Sequence, residues 1–258
     1  MAHSSMSRTE RPAPAAGPVV GFDLDMTLID SRPGIHAVYQ ALSAETGVHI
    51  DADLAVTRLG PPLDQELAHW FPEERIAEVG DRYREIYPTF AIAPTLALPG
   101  AREAIAAVRA LGGRAIVVTA KHEPNARLHL GHLGIEPDEV IGWLWAEAKG
   151  EALREHGASV YVGDHTGDVR GARTAGALSV AVVTGPCGAE ELRTEGADVV
   201  LTDLTEFPAW LAAYVDGKDA DRTYADGTYA DGTYADGTYA GRAAVNGAAV
   251  NGAADAAR

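Results

Sequence analysis

Apolar and polar positions alternate in two distinct ways along most of this chain. Short runs rich in Val, Ile, Leu and Ala predict buried strands, and amphipathic stretches that end near a glycine predict helices. The predicted strands begin with a run at Val19 and continue at residues 115–119, 140–144, 158–162, 178–183 and 199–201; the predicted helices cover 101–111, 124–133, 149–156, 168–175, 189–195 and 205–214. Because strand and helix follow each other in strict succession, the pattern predicts an α/β fold with a doubly wound parallel sheet.

One long stretch interrupts this succession. Residues 31–96 show helical periodicity and many prolines but no convincing strand pattern. The helix-like pieces cover residues 34–46, 63–70 and 73–87. We therefore predict a small all-helical domain at 31–96, inserted into a core domain that consists of residues 18–30 and 97–215.

The two ends of the chain differ from the middle in composition. Residues 1–17 mix Ser, Arg, Pro and Ala without the apolar centre of a signal peptide, so we expect a flexible arm. Residues 216–258 contain the repeat Thr-Tyr-Ala-Asp-Gly, which starts at Thr223, Thr228 and Thr233. Glycine and aspartate in every repeat disfavour helix and strand, so we expect a disordered tail. The regularly spaced tyrosines offer the alternative that the tail contacts a partner.

Composition and charge narrow the classes of partner. The chain has 258 residues and a formal net charge of -16, which argues against a nucleic acid or an anionic membrane as partner. A small phosphate ester is compatible with this charge, because one lysine, one metal ion and a few backbone N–H groups suffice to bind it. No segment approaches the length of a membrane span. The only cysteine, Cys187, excludes an intrachain disulfide and fits the reducing cytoplasm.

Two pairs of carboxylates follow predicted strands. Asp23 and Asp25 come directly after the first strand, and Asp164 and Asp168 follow the strand at 158–162. Alternate residues of a strand project to the same side, so Asp23 and Asp25 would bring two negative charges into one small volume. The carboxyl ends of parallel strands meet at one edge of a sheet. The two pairs together therefore predict one Mg²⁺ site.

Four motifs occur in a fixed order along the chain: Asp-x-Asp-x-Thr at 23–27, Thr119 after a later strand, Lys149 at the start of a helix, and Gly-Asp-x-x-x-Asp at 163–168. In this order they resemble the motifs of the haloacid dehalogenase (HAD) superfamily of phosphohydrolases, and in particular its phosphoglycolate-phosphatase-like members, over residues 18–214. The resemblance implies a Rossmann-like core and a helical cap that closes over the substrate. It also implies a phosphatase that acts on a small phosphorylated metabolite, such as 2-phosphoglycolate.

The resemblance assigns roles to the carboxylates. Asp23 would be the nucleophile that forms an aspartyl-phosphate, and Asp25 would protonate the leaving group and then activate water. The Asp23 carboxylate, the Asp25 backbone carbonyl and the Asp164 carboxylate would bind Mg²⁺, and Asp168 would act on the metal through water or through a neighbouring group.

It also assigns substrate contacts. The Thr119 hydroxyl, the N–H of Ala120 and the Lys149 ammonium would bind the phosphoryl group. Lys121 is a rival for the role given to Lys149. Arg58, in the predicted cap, would bind a carboxylate or a second phosphate of the substrate, or alternatively would be a solvated surface arginine.

Three further observations bear on the function. Met26 stands where the superfamily most often has glycine, so the loop after the nucleophile must accommodate a side chain. Asp25 argues against a dehalogenase, because a halide leaves without a proton. A phosphosugar mutase with the same catalytic set stays open as an alternative, and so does a non-catalytic binding module that uses the repeat tail.

Overall fold

The computed structural model of the protein describes residues 17–217. The arm predicted at 1–17 and the tail predicted at 216–258 lie almost wholly outside the described residues. Among the described residues, no helix combines the length and the apolar character that crossing a bilayer requires.

Six parallel strands form one sheet, in the order β5-β4-β1-β6-β7-β8. The strands are β1 (Val19–Phe22), β4 (Arg114–Val118), β5 (Glu139–Ile141), β6 (Val160–Gly163), β7 (Leu178–Val182) and β8 (Val199–Leu201). The strand interiors are almost fully buried, as expected for a parallel sheet covered on both faces. This confirms the predicted α/β fold with a parallel sheet.

Helices alternate with the strands along the chain, and the last helix follows β8. They are α5 (Ala101–Ala110), α6 (Glu123–Leu133), α7 (Lys149–Glu155), α8 (Thr166–Ala175), α9 (Ala189–Glu195) and α10 (Phe207–Val215). Most of these helices end at a glycine in the left-handed conformation, for example Gly134 after α6 and Gly176 after α8. The strand order changes direction beside β1, and this places the carboxyl end of β1 at the centre of the edge where ligands bind in such sheets.

Between β1 and α5 the chain forms a helical layer, which we call the cap. It contains α1 (Arg32–Thr46), α2 (Ala52–Ala55), α3 (Leu63–Leu67) and α4 (Glu73–Ala91). These helices bury their own apolar cluster, which includes Val38, Leu42, Leu67 and Tyr87. The cap therefore has a core of its own.

The cap is attached to the sheet by a short element that the sequence pattern did not predict. Ile29–Asp30 (β2) pairs antiparallel with Leu96–Ala97 (β3), so the two connecting chains run side by side where the cap begins and ends. Two residues per strand are too few for a recognisable period in the sequence. The expectation that residues 31–96 contain no strand was thus wrong at Leu96.

The strand predicted at 140–144 is also shorter than expected. It ends at Ile141, because Gly142 approaches within van der Waals range of the 121–123 backbone and Trp143 has a φ of 64°, which no strand can accommodate. This turn directs Trp143 toward the cap.

Candidate active site

The loop after β1 is held in a fixed conformation. The N–H of Asp23 donates to Val162 O (2.8 Å) and the N–H of Met26 donates to Ile29 O (2.8 Å). Met26 has a φ of 60°, in the left-handed region that favours glycine, and its side chain is buried. The Thr184 hydroxyl donates to Met26 O (2.5 Å). Met26 is thus accommodated, with backbone strain, at the position where the HAD pattern most often has glycine.

The predicted carboxylates converge at the carboxyl ends of β1 and β6. Asp23, Asp164 and Asp168 are buried, and one carboxylate oxygen of each lies within 4.8 Å of the others. The Thr27 hydroxyl donates to Asp164 Oδ1 (2.7 Å), so the Thr of Asp-x-Asp-x-Thr orients a carboxylate 137 residues away.

Lys149 lies beneath these acids and is fully buried. Its Nζ is 2.6 Å from Asp168 Oδ1 and 3.1 Å from Asp23 Oδ1. It also donates to the Tyr161 hydroxyl (2.9 Å), which in turn donates to Val118 O (2.7 Å). Tyr161 therefore fixes the position of the Lys149 ammonium from the strand below. Sequence reasoning missed Tyr161, because the run at 158–162 indicated only a strand.

Both oxygens of Asp168 are engaged by protein groups. Oδ1 accepts from Lys149, and Oδ2 accepts from the N–H groups of Asp164 (3.2 Å) and His165 (3.1 Å). Asp168 thus holds the loop that carries Asp164.

The electrostatics of this cluster fit a divalent cation. Burial raises the pKa of Asp23 to about 6, despite the opposing charge of Lys149. Burial, together with the charges of Asp168 and Asp23, raises the pKa of Asp164 well above its usual range. In addition, Asp23 Oδ1 is buried and lacks a donor in hydrogen-bonding geometry. A divalent cation bound by Asp23 and Asp164 would remove these penalties, since hard cations prefer carboxylate oxygens.

The net charge of the site also favours a bound cation. Four carboxylates meet two ammonium groups here, which leaves two negative charges: Asp23, Asp25, Asp164 and Asp168 against Lys121 and Lys149. Buried charges without a counter-charge are costly.

Lys121 is bound to Asp25. Its Nζ donates to Oδ1 and Oδ2, each over 2.9 Å, and lies 4.9 Å from the centroid of the Tyr87 ring. Burial alone would raise the pKa of Asp25, but the Lys121 ammonium holds it below its usual value. The two rival lysines therefore have different partners. Lys149 pairs with Asp23 and Asp168, and Lys121 pairs with Asp25.

A pocket opens between this cluster and the cap. Asp23 and Asp25 lie at its floor, with Thr119, Ala120 and Lys121 beside them. The N–H of Thr119 donates to Ile141 O (2.9 Å), and the Thr119 hydroxyl accepts from the N–H of Lys121 (3.2 Å). The loop that follows β4 is thereby fixed beside the nucleophile.

The cap side of the pocket is mostly aromatic and apolar. Its lining includes Ile35, Tyr39, Leu59, Pro61, Pro62, Leu63, Tyr83 and Tyr87, and Trp143 faces these residues from the core. Arg58 also lines it, but its guanidinium donates to both oxygens of Glu66 (2.9 and 2.6 Å). Sequence reasoning did not identify Glu66, whose pairing with Arg58 depends on how the segment 57–66 folds back on itself.

Besides the contact of Lys121 with Tyr87, two further contacts join the cap to the core beside the pocket. Gly60 lies against the His165 ring, so closely that an added Cβ would be 2.7 Å from His165 Cδ2. Opposite, the Arg84 guanidinium lies 4.6 Å from the centroid of the Trp143 ring. These contacts hold the cap over Asp23.

The match to a known family agrees with this architecture. A model of the haloacid dehalogenase-like hydrolases matches residues 20–173, and a second HAD hydrolase-like model matches residues 142–207. The chain belongs to the haloacid dehalogenase-like hydrolase family. The resemblance inferred from the four motifs is confirmed.

Individual relatives of this HAD chain carry different names. The tyrosine-protein kinase PtkA of Mycobacterium tuberculosis is 33% identical over 178 residues, which cover 64% of this chain and 61% of that protein. The phosphoglycolate phosphatase of Chromobacterium violaceum is 28% identical over 213 residues, which cover 72% of this chain and 93% of that protein. The chain thus spans about three fifths of the kinase-named relative and nearly all of the phosphatase.

Solved structures share the fold. A haloacid dehalogenase-like hydrolase of Streptococcus pneumoniae superposes with a TM-score of 0.66 and 24% identity, covering 77% of this chain and 98% of that one. At this identity the likeness concerns the fold.

Proposed function

We propose that this protein is a Mg²⁺-dependent phosphatase that hydrolyses a small phosphomonoester through an aspartyl-phosphate intermediate. One observation carries the proposal: Asp23, at the end of β1, lies within one buried acidic cluster with Asp164 and faces a pocket that Asp25 also lines. The names of the phosphatase relatives support the same activity. 2-Phosphoglycolate is the first substrate to test.

The chemistry divides between the two aspartates of the first loop. An Asp23 oxygen attacks phosphorus and the bond from phosphorus to the ester oxygen breaks. Asp25 gives that oxygen a proton, which it must first take from solvent because Lys121 lowers its pKa. Asp25 then takes a proton from water, which attacks the aspartyl-phosphate and releases inorganic phosphate and the Asp23 carboxylate. Closure of the cap over the pocket keeps other water away from the intermediate.

The remaining residues bind and orient. Asp23 and Asp164, with the backbone carbonyl of Asp25, would hold Mg²⁺, which neutralises charge on the phosphoryl oxygens when bound. Asp168 positions Lys149 and the 164–165 loop. Thr119 and the N–H of Ala120 would contact a phosphoryl oxygen.

Lys149 and Arg58 have narrower roles in this proposal. Because Lys149 is buried beneath Asp23 and is absent from the pocket lining, it would act mainly by neutralising the nucleophile. Arg58 would have to give up its ion pair with Glu66 before it could bind a substrate carboxylate.

A direct test is hydrolysis of a panel of phosphomonoesters with Mg²⁺ and with EDTA. We expect phosphate release with Mg²⁺ and its loss with EDTA, and we expect Asp23→Asn to lower kcat by at least about a thousandfold, as removal of a nucleophile does. Wild-type turnover by Asp23→Asn, or full turnover in EDTA, would contradict the proposal. A matched control is Asp53→Asn, an exposed aspartate of the cap.

The name of the most identical relatives reported above favours a second candidate, transfer of a phosphoryl group to a tyrosine hydroxyl. The donor would be a nucleoside triphosphate, whose γ-phosphoryl bond breaks as the new ester bond forms. Incubation with ATP labelled in the γ position and a tyrosine peptide distinguishes the two: label on the peptide indicates transfer, and label in free phosphate alone indicates hydrolysis. The phosphosugar mutase alternative stays open and is tested by product analysis with a hexose phosphate.

A further inference from the structure

We propose that the pocket above Asp23 selects phosphate esters whose leaving group is an uncharged aromatic ring, in preference to small esters that carry a carboxylate. The proposal rests on the proposed phosphatase function and deepens it by naming the substrate class. Tyr39, Tyr83, Tyr87 and Trp143 would be the residues that determine this specificity.

The first argument is that the cations lining the pocket are already neutralised. Arg58 donates to both oxygens of Glu66, which is itself largely buried, and Lys121 donates to both oxygens of Asp25. Arg84 pairs with Asp64 (3.3 Å). A carboxylate-bearing substrate would therefore have to displace a protein carboxylate before it could gain an ion pair.

Arg84 and His122 supply no spare positive charge either. Arg84 also pairs with Asp81 (3.1 Å) and lies over Trp143. Burial, and then the charge of Arg84, lowers the pKa of His122, which disfavours a positive charge on its ring. Burying a carboxylate in this pocket without a free cation carries a desolvation cost that its contacts do not offset.

The second argument is the arrangement of the rings. The Tyr39 and Tyr83 ring centroids are 5.2 Å apart and those of Tyr83 and Tyr87 are 5.5 Å apart, both with tilted rings. All three tyrosines line the pocket from within the apolar cluster of the cap and are at most 7% exposed, so the edges that reach the pocket meet a ligand without losing further side-chain freedom.

Trp143 completes the aromatic lining from the core side. Trp143 is 55% exposed, and its ring makes an edge-to-face contact with the His122 ring, 5.0 Å away between centroids, and lies under the Arg84 guanidinium. An aromatic leaving group would extend this set of tilted rings. Such ring pairs stabilise a complex beyond the apolar area that they bury.

The experiment compares the hydrolysis of two phosphate esters by the wild-type protein. With Mg²⁺ present, kcat/KM for phenyl phosphate should exceed that for 2-phosphoglycolate by at least about tenfold, the ratio that corresponds to 1.4 kcal/mol. Equal values, or a higher value for 2-phosphoglycolate, would overturn the proposal.

Binding of phosphonates separates this inference from the proposed function, because phosphonates are not turned over. By calorimetry with Mg²⁺, benzylphosphonate should bind more tightly than phosphonopropionate. If neither ester were hydrolysed but this order of binding held, the phosphatase function would fail and the ring preference would stand. Tighter binding of phosphonopropionate would overturn the preference whatever the catalytic result.

A charge variant tests the neutralisation argument directly. Glu66→Gln releases Arg58 while keeping an oxygen for the Trp70 Nε1–H that Glu66 now accepts over 2.9 Å. We expect kcat/KM for 2-phosphoglycolate to rise about tenfold, within the range for a new charged hydrogen bond, with no gain for phenyl phosphate. Glu45→Gln, which removes an exposed cap carboxylate paired with Arg82, is the control and should change neither. An equal effect of Glu66→Gln on both esters would contradict the assignment.

Discussion

Lys121 Nζ donates to both carboxylate oxygens of Asp25, each over 2.9 Å, although 96 residues separate the two in the chain. The Lys121 side chain is 7% exposed and that of Asp25 is 18% exposed, so water screens the pair only weakly. This contact joins the loop after β1 to the loop after β4. It places a fixed ion pair at the point where the leaving group of a substrate would lie.

We therefore expect Lys121→Met to destabilise the fold by about 3 kcal/mol, because it leaves the largely buried Asp25 carboxylate without its counter-charge. Denaturant unfolding measures the change. The double variant Lys121→Met/Asp25→Asn should recover part of the loss, since no buried charge remains.

The exposed ion pair of Arg82 with Glu45 supplies the control for that experiment. Exposed pairs are screened by water, so Arg82→Met should change the unfolding free energy little. If Arg82→Met and Lys121→Met had the same effect, the energetic importance of the Lys121–Asp25 pair would be refuted.

At Met26, backbone strain and side-chain burial have opposite effects on the stability of the fold. Its φ of 60° is strained for a residue with a side chain, and Met26→Gly would relieve about 1 kcal/mol. The Met26 side chain is only 2% exposed, however, and removal of a buried methionine side chain costs roughly 2–5 kcal/mol. Burial wins, so Met26→Gly should lower the denaturant midpoint even though it restores the usual HAD residue. A higher midpoint would show that strain dominates.

The cap loop offers a matched pair of glycines. Gly60 has a φ of 128° and an added Cβ would clash with His165, whereas Gly47 has a φ of 70° and nothing lies within 4 Å of an added Cβ. Both substitutions to alanine should cost about 1 kcal/mol of stability through the positive φ.

Only Gly60→Ala should also raise KM, because it alone displaces the cap loop from the active site. Steady-state kinetics on the two variants measures this difference. If KM were unchanged in Gly60→Ala, or raised equally in Gly47→Ala, the contact of Gly60 with His165 would not position the cap over the active site.

We expect His129 to make the folded state less stable at low pH. It is fully buried and accepts or donates one hydrogen bond with the Tyr87 hydroxyl (2.9 Å between the heavy atoms). Burial, and then the charge of Lys121, lowers the pKa of His129 from 6.5 to about 3. Between these pH values the unfolded chain binds a proton that the folded chain does not.

This contribution to stability is therefore complete above pH 6.5 and is lost as the pH falls toward 3, by up to about 1.4 kcal/mol per pH unit. In His129→Gln the unfolding free energy should decline less steeply over that window. Denaturant unfolding at a series of pH values measures both slopes, and parallel curves would contradict the prediction.

The fold class was predictable because burial imposes a period on the sequence. The runs that became β4, β6 and β7 are continuous and apolar because a parallel sheet is covered on both faces, and the glycines after α6 and α8 mark helix ends. The end of β5 was not predictable, because it depends on Gly142 approaching the loop after β4. The pairing of β2 with β3 was likewise invisible in two-residue segments.

The candidate site was predictable in part for a related reason. Parallel strands end at one edge, so Asp23 and Asp164 could be expected to meet there. Which lysine pairs with which carboxylate could not be read in the same way, because a flexible four-carbon side chain reaches several partners from either loop. Lys149 and Lys121 proved to have separate partners, Asp168 with Asp23 in one case and Asp25 in the other.

By itself, the sequence determined the alternation of strands and helices, the helical segment between β1 and α5, and the presence of four carboxylates at strand ends, because these follow from local periodicity and from the geometry common to parallel sheets. Only the tertiary structure decided that Glu66 neutralises Arg58, that Tyr161 supports Lys149, and that three cap tyrosines and Trp143 line the pocket. Those contacts join side chains distant in the sequence, and their energies depend on burial and distance, neither of which a linear pattern contains.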